Sequence, residues 1–124
     1  MNMNNEHARQ INNLVSLVKE RNINWWTDLE TGLPIKRNKG ELLALIHSEV
    51  SEALEGERKD LMDDHLPHRK MAEVELADAV IRIMDYAAGF NYDLGGAIVE
   101  KMEYNSRRKD HTVEARKQAN GKKF

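Results

Sequence analysis

Acidic residues recur at a three-residue spacing in two segments of the chain. Glu49 and Glu52 form the first pair, and Glu75 and Asp78 form the second. Residues three apart lie on the same side of a helix, so each pair could share one ligand. Two such helices can present four carboxylates to one cleft, and an oxygen-rich site of this kind suits Mg²⁺ better than zinc. The spacing therefore indicates a candidate magnesium site.

Glu49 is unusual because of its neighbours on the predicted helix. A helical turn of about 100° per residue places it in the middle of a broad apolar face. That face consists of Leu42, Leu45, Ile46, Val50 and Ala53. A carboxylate among core residues is costly unless a cation, hydrogen bonds or protonation compensate. We therefore expect a positive group to meet Glu49. Glu55 could extend the acidic row beyond Glu52.

Each acidic pair taken alone also fits a solvated helix surface. The segment that carries Glu75 and Asp78 gathers Arg82 and Asp85 on the same polar side, opposite an apolar side. E-x-x-E pairs occur often on helices that bind nothing. The apolar setting of Glu49 and the presence of a second pair favour a shared ligand.

The elements that position these residues are predicted to be helices. Apolar residues recur at three- and four-residue spacings between loops marked by Gly and Pro, and β-branched residues form no period-2 runs. Asp93 is a suitable N-cap for the last helix. Short connections between four helices predict an antiparallel bundle. The helices are expected at about 11–22, 39–58, from soon after Pro67 to Gly89, and 93–108, with a loop at 24–38.

Length and composition limit the organisation and the partners. The chain has 124 residues, of which 40% are hydrophobic, and this supports one domain at 1–108 followed by a basic tail at 109–124. A net charge of -2 gives no overall field for a nucleic acid or a membrane surface. The chain contains no cysteine, has a polar N-terminus and has no run of membrane-spanning length. We expect a cytoplasmic protein.

Several common hydrolytic motifs are absent from the sequence. It has no G-x-x-x-x-G-K-[ST] phosphate loop, no His-Asp dipeptide and no H-E-x-x-H. No histidine follows a glutamate by three residues, so the E-x-x-H ligands of di-iron bundles are missing too.

The paired acidic segments at 49–52 (EVSE) and 75–78 (ELAD) resemble the signature of MazG-type, all-α nucleoside triphosphate pyrophosphohydrolases. The resemblance covers roughly residues 40–108. It implies a MazG-type four-helix bundle in which Glu49, Glu52, Glu75 and Asp78 hold Mg²⁺, with Mn²⁺ as a substitute, and the metal binds the triphosphate. Wide apolar faces on several helices predict completion of the bundle as a homodimer or homotetramer.

The resemblance also suggests residues that bind the substrate. A basic and polar row is typical of the last helix, and Lys101, Asn105 and Arg108 are expected on one face of it. Ordinary surface charge would also explain them. In the loop, Trp25 and Trp26 resemble aromatic residues that stack on a base, although anchoring of at least one tryptophan in the core is an equal alternative.

The implied reaction is Mg²⁺-dependent hydrolysis of a (deoxy)nucleoside triphosphate to the monophosphate and pyrophosphate. Metal-activated water would attack the α-phosphorus, and Glu52 or Glu55 would accept its proton. Two alternatives stay open. The chain could be a non-catalytic helical interaction or regulatory module, or its acidic site could serve a dUTPase-like or signalling-nucleotide hydrolase.

Overall fold

A computed structural model describes residues 3–124 as helices and short connections. No β-strand occurs in that range, so the all-α prediction is confirmed. None of the helices found there combines the length and the apolar composition needed to cross a membrane. The α-helices are α1 (Met3–Arg21), α2 (Lys39–Lys59), α3 (Met71–Gly89), α4 (Leu94–Ser106) and α5 (Val113–Lys117), with 3-10 turns at Ile23–Trp26 and Lys109–His111.

The ends of α2 are fixed by local hydrogen bonds. At its start, the side chain of Asn38 accepts the Glu41 backbone N–H at 2.9 Å. At its end, Asp60 adopts a left-handed conformation, with φ 51°. In the connector that follows, the buried carboxylate of Asp63 accepts the N–H groups of His65 and Leu66. This connector therefore holds α2 and α3 in a defined register.

Helices α2 and α3 pack closely because small residues line their contact. A Cβ added to Gly56 would lie 2.9 Å from the Cβ of Met71, so only glycine allows this approach. Ala53, Ala72 and Ala79 are buried in the same hairpin. The two helices that carry the acidic pairs are thus neighbours.

One predicted core residue of α2 lies outside the core. Leu42 and Ala53 are buried as expected, but Val50 is half exposed. Placing Val50 on the buried face was wrong, because it follows Glu49 and therefore points about 100° away from it around the helix.

The chain divides into two compact units, one of residues 14–92 and the other of residues 3–13 with 93–124. The hairpin of α2 and α3 belongs to the first unit. In the second unit, Asp93 caps α4 as predicted by accepting the Gly96 N–H at 2.9 Å. The Asn12 side-chain amide donates to Asp93 at 2.8 Å, and its oxygen accepts the Gly95 N–H.

The C-terminal segment at 109–124 contains short helical elements that the sequence pattern did not predict. Thr112 caps α5 by accepting the Ala115 N–H at 3.2 Å. The Lys123 ammonium donates to the backbone oxygens of Arg116 and Gln118, at 3.2 and 3.4 Å. Basic side chains therefore help to hold this segment in its turns.

Large apolar side chains remain exposed along the hairpin. On α2, Leu43, Val50 and Leu54 are 45%, 50% and 60% exposed, and their spacings of seven and four residues align them on one side. On α3, Leu76 and Val80 are about as exposed. Each helix thus keeps an apolar stripe that the other residues of the 14–92 unit do not cover.

Candidate metal site

Three of the four predicted carboxylate ligands lie together on the hairpin. Glu49 and Glu52 of α2 and Glu75 of α3 each offer an oxygen, and these oxygens lie within 4.8 Å of one another. We call these three residues the glutamate cluster. Asp78, the fourth predicted ligand, is one turn further along α3 and does not join the cluster at that distance.

The burial of Glu49 is not explained by the backbone around it. Its side chain is only 11% exposed. The other buried carboxylate among the described residues is Asp63, which accepts backbone N–H groups of its own loop. Glu49 instead accepts the Arg82 Nε–H at 2.9 Å. Arg82 is therefore the positive group expected beside Glu49.

Crowding of negative charge changes the protonation of the cluster. Partial burial, hydrogen bonds with Glu49 and Glu52, and the charges of those two residues raise the pKa of Glu75 to about 8. Burial, followed by the charge of Glu49, also raises the pKa of Asp78, although the charge of Arg82 opposes this. The carboxylates thus favour binding of a cation, either a proton or a metal ion.

A cavity of about 380 Å³ opens beside the cluster, within the unit of residues 14–92. It brings carboxylates, guanidinium groups and an aromatic ring to one space, which suits a ligand that has both a phosphate and a ring. The charged and aromatic residues in its wall include Trp25, Arg37, Glu49, Asp78, Arg82 and Asp85.

The two tryptophans of the loop have different roles in the structure. Trp25 is 68% exposed and lines the cavity. Trp26 is anchored, because its Nε1–H donates to Asp85 at 2.9 Å and its ring meets the Phe90 ring edge-on at 5.6 Å. A Cβ on Gly89 would collide with the Trp26 ring. Only Trp25 thus offers a ring face to a ligand in the cavity.

Glu55 lies apart from the cluster. Its carboxylate pairs with the Lys59 ammonium at 2.8 Å and with the Arg58 guanidinium at 3.8 Å, both on the same helix. These contacts neutralise Glu55 locally. Of the two predicted general bases, only Glu52 is a member of the cluster.

The predicted phosphate-binding row is interrupted. Helix α4 ends at Ser106, and Arg108 has an extended backbone, with φ -73° and ψ 128°. Placing Arg108 on one helical face with Lys101 and Asn105 was therefore wrong, because the helix stops before it. Its guanidinium instead binds both carboxylate oxygens of Asp110, at 3.1 and 2.8 Å.

The other two members of the row remain on α4, in the unit that does not contain the cluster. The Lys101 ammonium lies 4.7 Å from the centre of the Tyr104 ring. The Asn105 side-chain oxygen is buried without a hydrogen-bond partner among the described residues. A buried acceptor of this kind is normally satisfied, so Asn105 has unused capacity to accept a hydrogen bond.

Two residues of the cavity were not predicted as functional. Arg82 was assigned only to the polar side of its helix, although its seven-residue spacing from Glu75 placed it on the same face. Arg37 lies over the Trp26 ring, 5.3 Å from the ring centre. It belongs to a loop without periodicity, so the sequence contained no signal for its position.

Comparisons of the chain with protein-family models, with curated proteins and with solved structures found no match. The resemblance to MazG-type proteins therefore rests on the motifs of the sequence, chiefly the two acidic segments.

Proposed function

We propose that this protein is a Mg²⁺-dependent nucleoside triphosphate pyrophosphohydrolase of MazG type. The observation that supports this most strongly is the glutamate cluster, since Glu49 and Glu52 converge with Glu75 from a separate helix. The adjoining cavity adds guanidinium groups for phosphates and an exposed Trp25 ring for a base.

The cluster fits a hard divalent cation. Its donors are all carboxylate oxygens, which suit Mg²⁺ or Mn²⁺, and it offers no thiolate or imidazole for a softer metal. The pKa of Glu75, which burial and the neighbouring Glu49 and Glu52 raise, supports a site that takes up positive charge. Glu49, Glu52 and Glu75 would hold the metal, and Asp78 would face it from the cavity wall.

In the proposed reaction the residues of the chain have separate roles. The bound metal would supply neutralisation of phosphate oxygens and polarisation of the α-phosphorus. Glu52, the exposed member of the cluster, accepts a proton from the attacking water. A new bond forms between the water oxygen and the α-phosphorus. The bond from that phosphorus to the bridging oxygen breaks, and pyrophosphate leaves. Trp25 stacks on the base. A contact of Lys101 and Asn105 with the leaving phosphates stays a prediction from the sequence.

A substrate panel tests the proposal. Ribo- and deoxyribonucleoside triphosphates, dUTP and signalling nucleotides are incubated with Mg²⁺ or with a chelator, and released pyrophosphate is measured. We expect metal-dependent release from at least one substrate, and loss of release in Glu75→Gln. The matched control is Glu73→Gln, whose exposed carboxylate pairs with Arg69 outside the cluster. A panel with no pyrophosphate release would reject the proposal.

The exposed apolar stripes support a second candidate, a helical oligomeric interaction module. Leu43, Val50 and Leu54 form such a stripe on α2. Contiguous apolar surface commonly marks an interface between proteins. A homodimer or homotetramer is compatible with both candidates. Only the enzyme, however, would respond to Mg²⁺ by releasing pyrophosphate.

A further inference from the structure

Arg82 is the basic residue that contacts the glutamate cluster within the described chain. Its Nε–H donates to Glu49 Oε1 at 2.9 Å. The basic residues that the sequence suggested for phosphate binding, Lys101 and Arg108, belong to the other compact unit. Arg108 is also bound to Asp110 through two hydrogen bonds. A phosphate beside the cluster therefore has a candidate cation, Arg82, within the unit that contains the cluster.

The contact with Glu49 uses only part of the Arg82 guanidinium. Within residues 3–124, the hydrogen bond and ion pair of Arg82 both run through Nε, and neither involves the terminal amino groups. A guanidinium carries five N–H donors in a fixed fork, which matches two phosphate oxygens. The side chain is 40% exposed and lines the cavity. Its terminal amino groups can therefore meet a ligand while Nε stays on Glu49.

The placement of Arg82 on α3 fits a ligand that also touches the metal. Glu75, Asp78 and Arg82 lie on one face of the helix, at spacings of three and four residues. Arg37 adds a second guanidinium to the same cavity. A polyphosphate chain could thus contact a metal at the cluster and a guanidinium further along the face.

We propose that Arg82 binds a phosphate group of the metal-bound nucleotide through its terminal amino groups, while its Nε–H orients it on Glu49. This inference rests on the proposed function. The competing explanation is that Arg82 only neutralises Glu49. In that case, loss of Arg82 would change the stability of the metal-free protein. It would not change the affinity for polyphosphate at saturating metal.

The test measures two affinities of the full chain by titration calorimetry. The first is for Mn²⁺ alone, and the second is for inorganic tripolyphosphate at saturating Mn²⁺, which requires no knowledge of the base. Arg82→Gln should weaken tripolyphosphate binding by about 10- to 100-fold, the usual range for a lost charge-assisted contact. It should bind Mn²⁺ alone at least as tightly as the wild type, because a cation that competes for Glu49 is gone.

Matched variants separate the local role of Arg82 from general charge. Arg69→Gln makes the same change at an exposed residue that pairs with Glu73 outside the cavity, and it should bind tripolyphosphate like the wild type. Arg82→Lys keeps the charge but not the fork, so it should show a smaller but measurable loss. If Arg82→Gln does not fold by circular dichroism, Arg82→Lys decides the matter.

The outcomes also distinguish this inference from the proposed function. Wild-type affinity for tripolyphosphate in the folded Arg82 variants would overturn the role of Arg82 and leave the metal site intact. A wild-type chain that binds neither Mn²⁺ nor tripolyphosphate would instead reject the proposed function itself.

Discussion

Metal binding at the glutamate cluster should release a proton from Glu75 at neutral pH. Its pKa is about 8 in the metal-free protein, because partial burial and the neighbouring Glu49 and Glu52 disfavour its charge. A carboxylate must be deprotonated to bind a metal ion. At pH 7, about nine-tenths of the Glu75 side chains carry a proton, so about one proton leaves for each metal ion bound.

The size of the pH effect on metal affinity follows from the same pKa of Glu75. The apparent association constant for Mn²⁺ should rise about tenfold per pH unit from about pH 6 to 7 and level off above about pH 8. Calorimetric titrations in two buffers of different ionisation enthalpy count the released protons directly. Glu75→Gln should remove the proton release, and Glu73→Gln should preserve it. Wild-type binding without proton release at pH 7 would refute the reasoning about the cluster.

The metal-free protein should show a matching dependence of stability on pH. The pKa of Glu75 is raised from a usual value of 4.5 to about 8, so between these values the folded chain binds more protons than the unfolded chain. Its free energy of unfolding should therefore be fully retained below about pH 4.5 and decline as the pH rises toward 8, as far as Glu75 contributes. Denaturant titrations of the wild type and Glu75→Gln across this range check the slope, which Glu75→Gln should reduce.

Three further predictions concern Glu49, helix α4 and the apolar stripe of α2. Glu49→Gln should lower kcat/KM by about 100-fold while the helical circular dichroism stays intact, because it removes a ligand of the cluster; strong destabilisation of the metal-free protein would instead assign Glu49 to a structural pair with Arg82. Lys101→Ala should lower kcat/KM by about tenfold, whereas Arg107→Ala, whose side chain pairs with Glu103, should be nearly silent; equal losses in the two would indicate general electrostatic attraction. Leu54→Glu should shift the chain toward a monomer in size-exclusion chromatography with light scattering, and a wild-type chain that is already monomeric at micromolar concentration would contradict an apolar interface.

Helices α2 and α3 and the start of α4 could be predicted from the sequence because their signals are local, whereas α1 begins eight residues before the expected start at residue 11. Apolar periodicity located α2 and α3, and the Asp93 cap located the start of α4. The C-terminal end of α4 has no comparable signal, because it depends on weaker conformational preferences of its last residues. Arg108 therefore lay beyond the helix that was expected to hold it. Neither the helical wheel nor the motif contained the information that Asp110 would bind its guanidinium.

For the candidate site, the positions of the acidic residues on each helix could be predicted, but the contacts between elements could not. The three-residue spacing placed Glu49 and Glu52 on one side of α2, and the packing of α3 then brought Glu75, but not Asp78, to them. Which cation meets Glu49 depends on the register between α2 and α3, and the sequence pattern does not specify that register. The roles of Trp25 and Trp26 were likewise open, because one hydrogen bond to Asp85 and the space left by Gly89 separate them.

The connector between α2 and α3 makes the site sensitive to chain length. Asp63 fixes this loop by accepting two backbone N–H groups, and the Met71 N–H donates to the Leu61 oxygen at 2.9 Å, which ties the start of α3 to the residues that follow α2. One extra residue at the start of α3 would turn Glu75 by about 100° away from Glu49 while both helices could still form. An insertion between Ala72 and Glu75 would thus leave both helices able to form but turn Glu75 away from Glu49, so the chain would fold without its metal site.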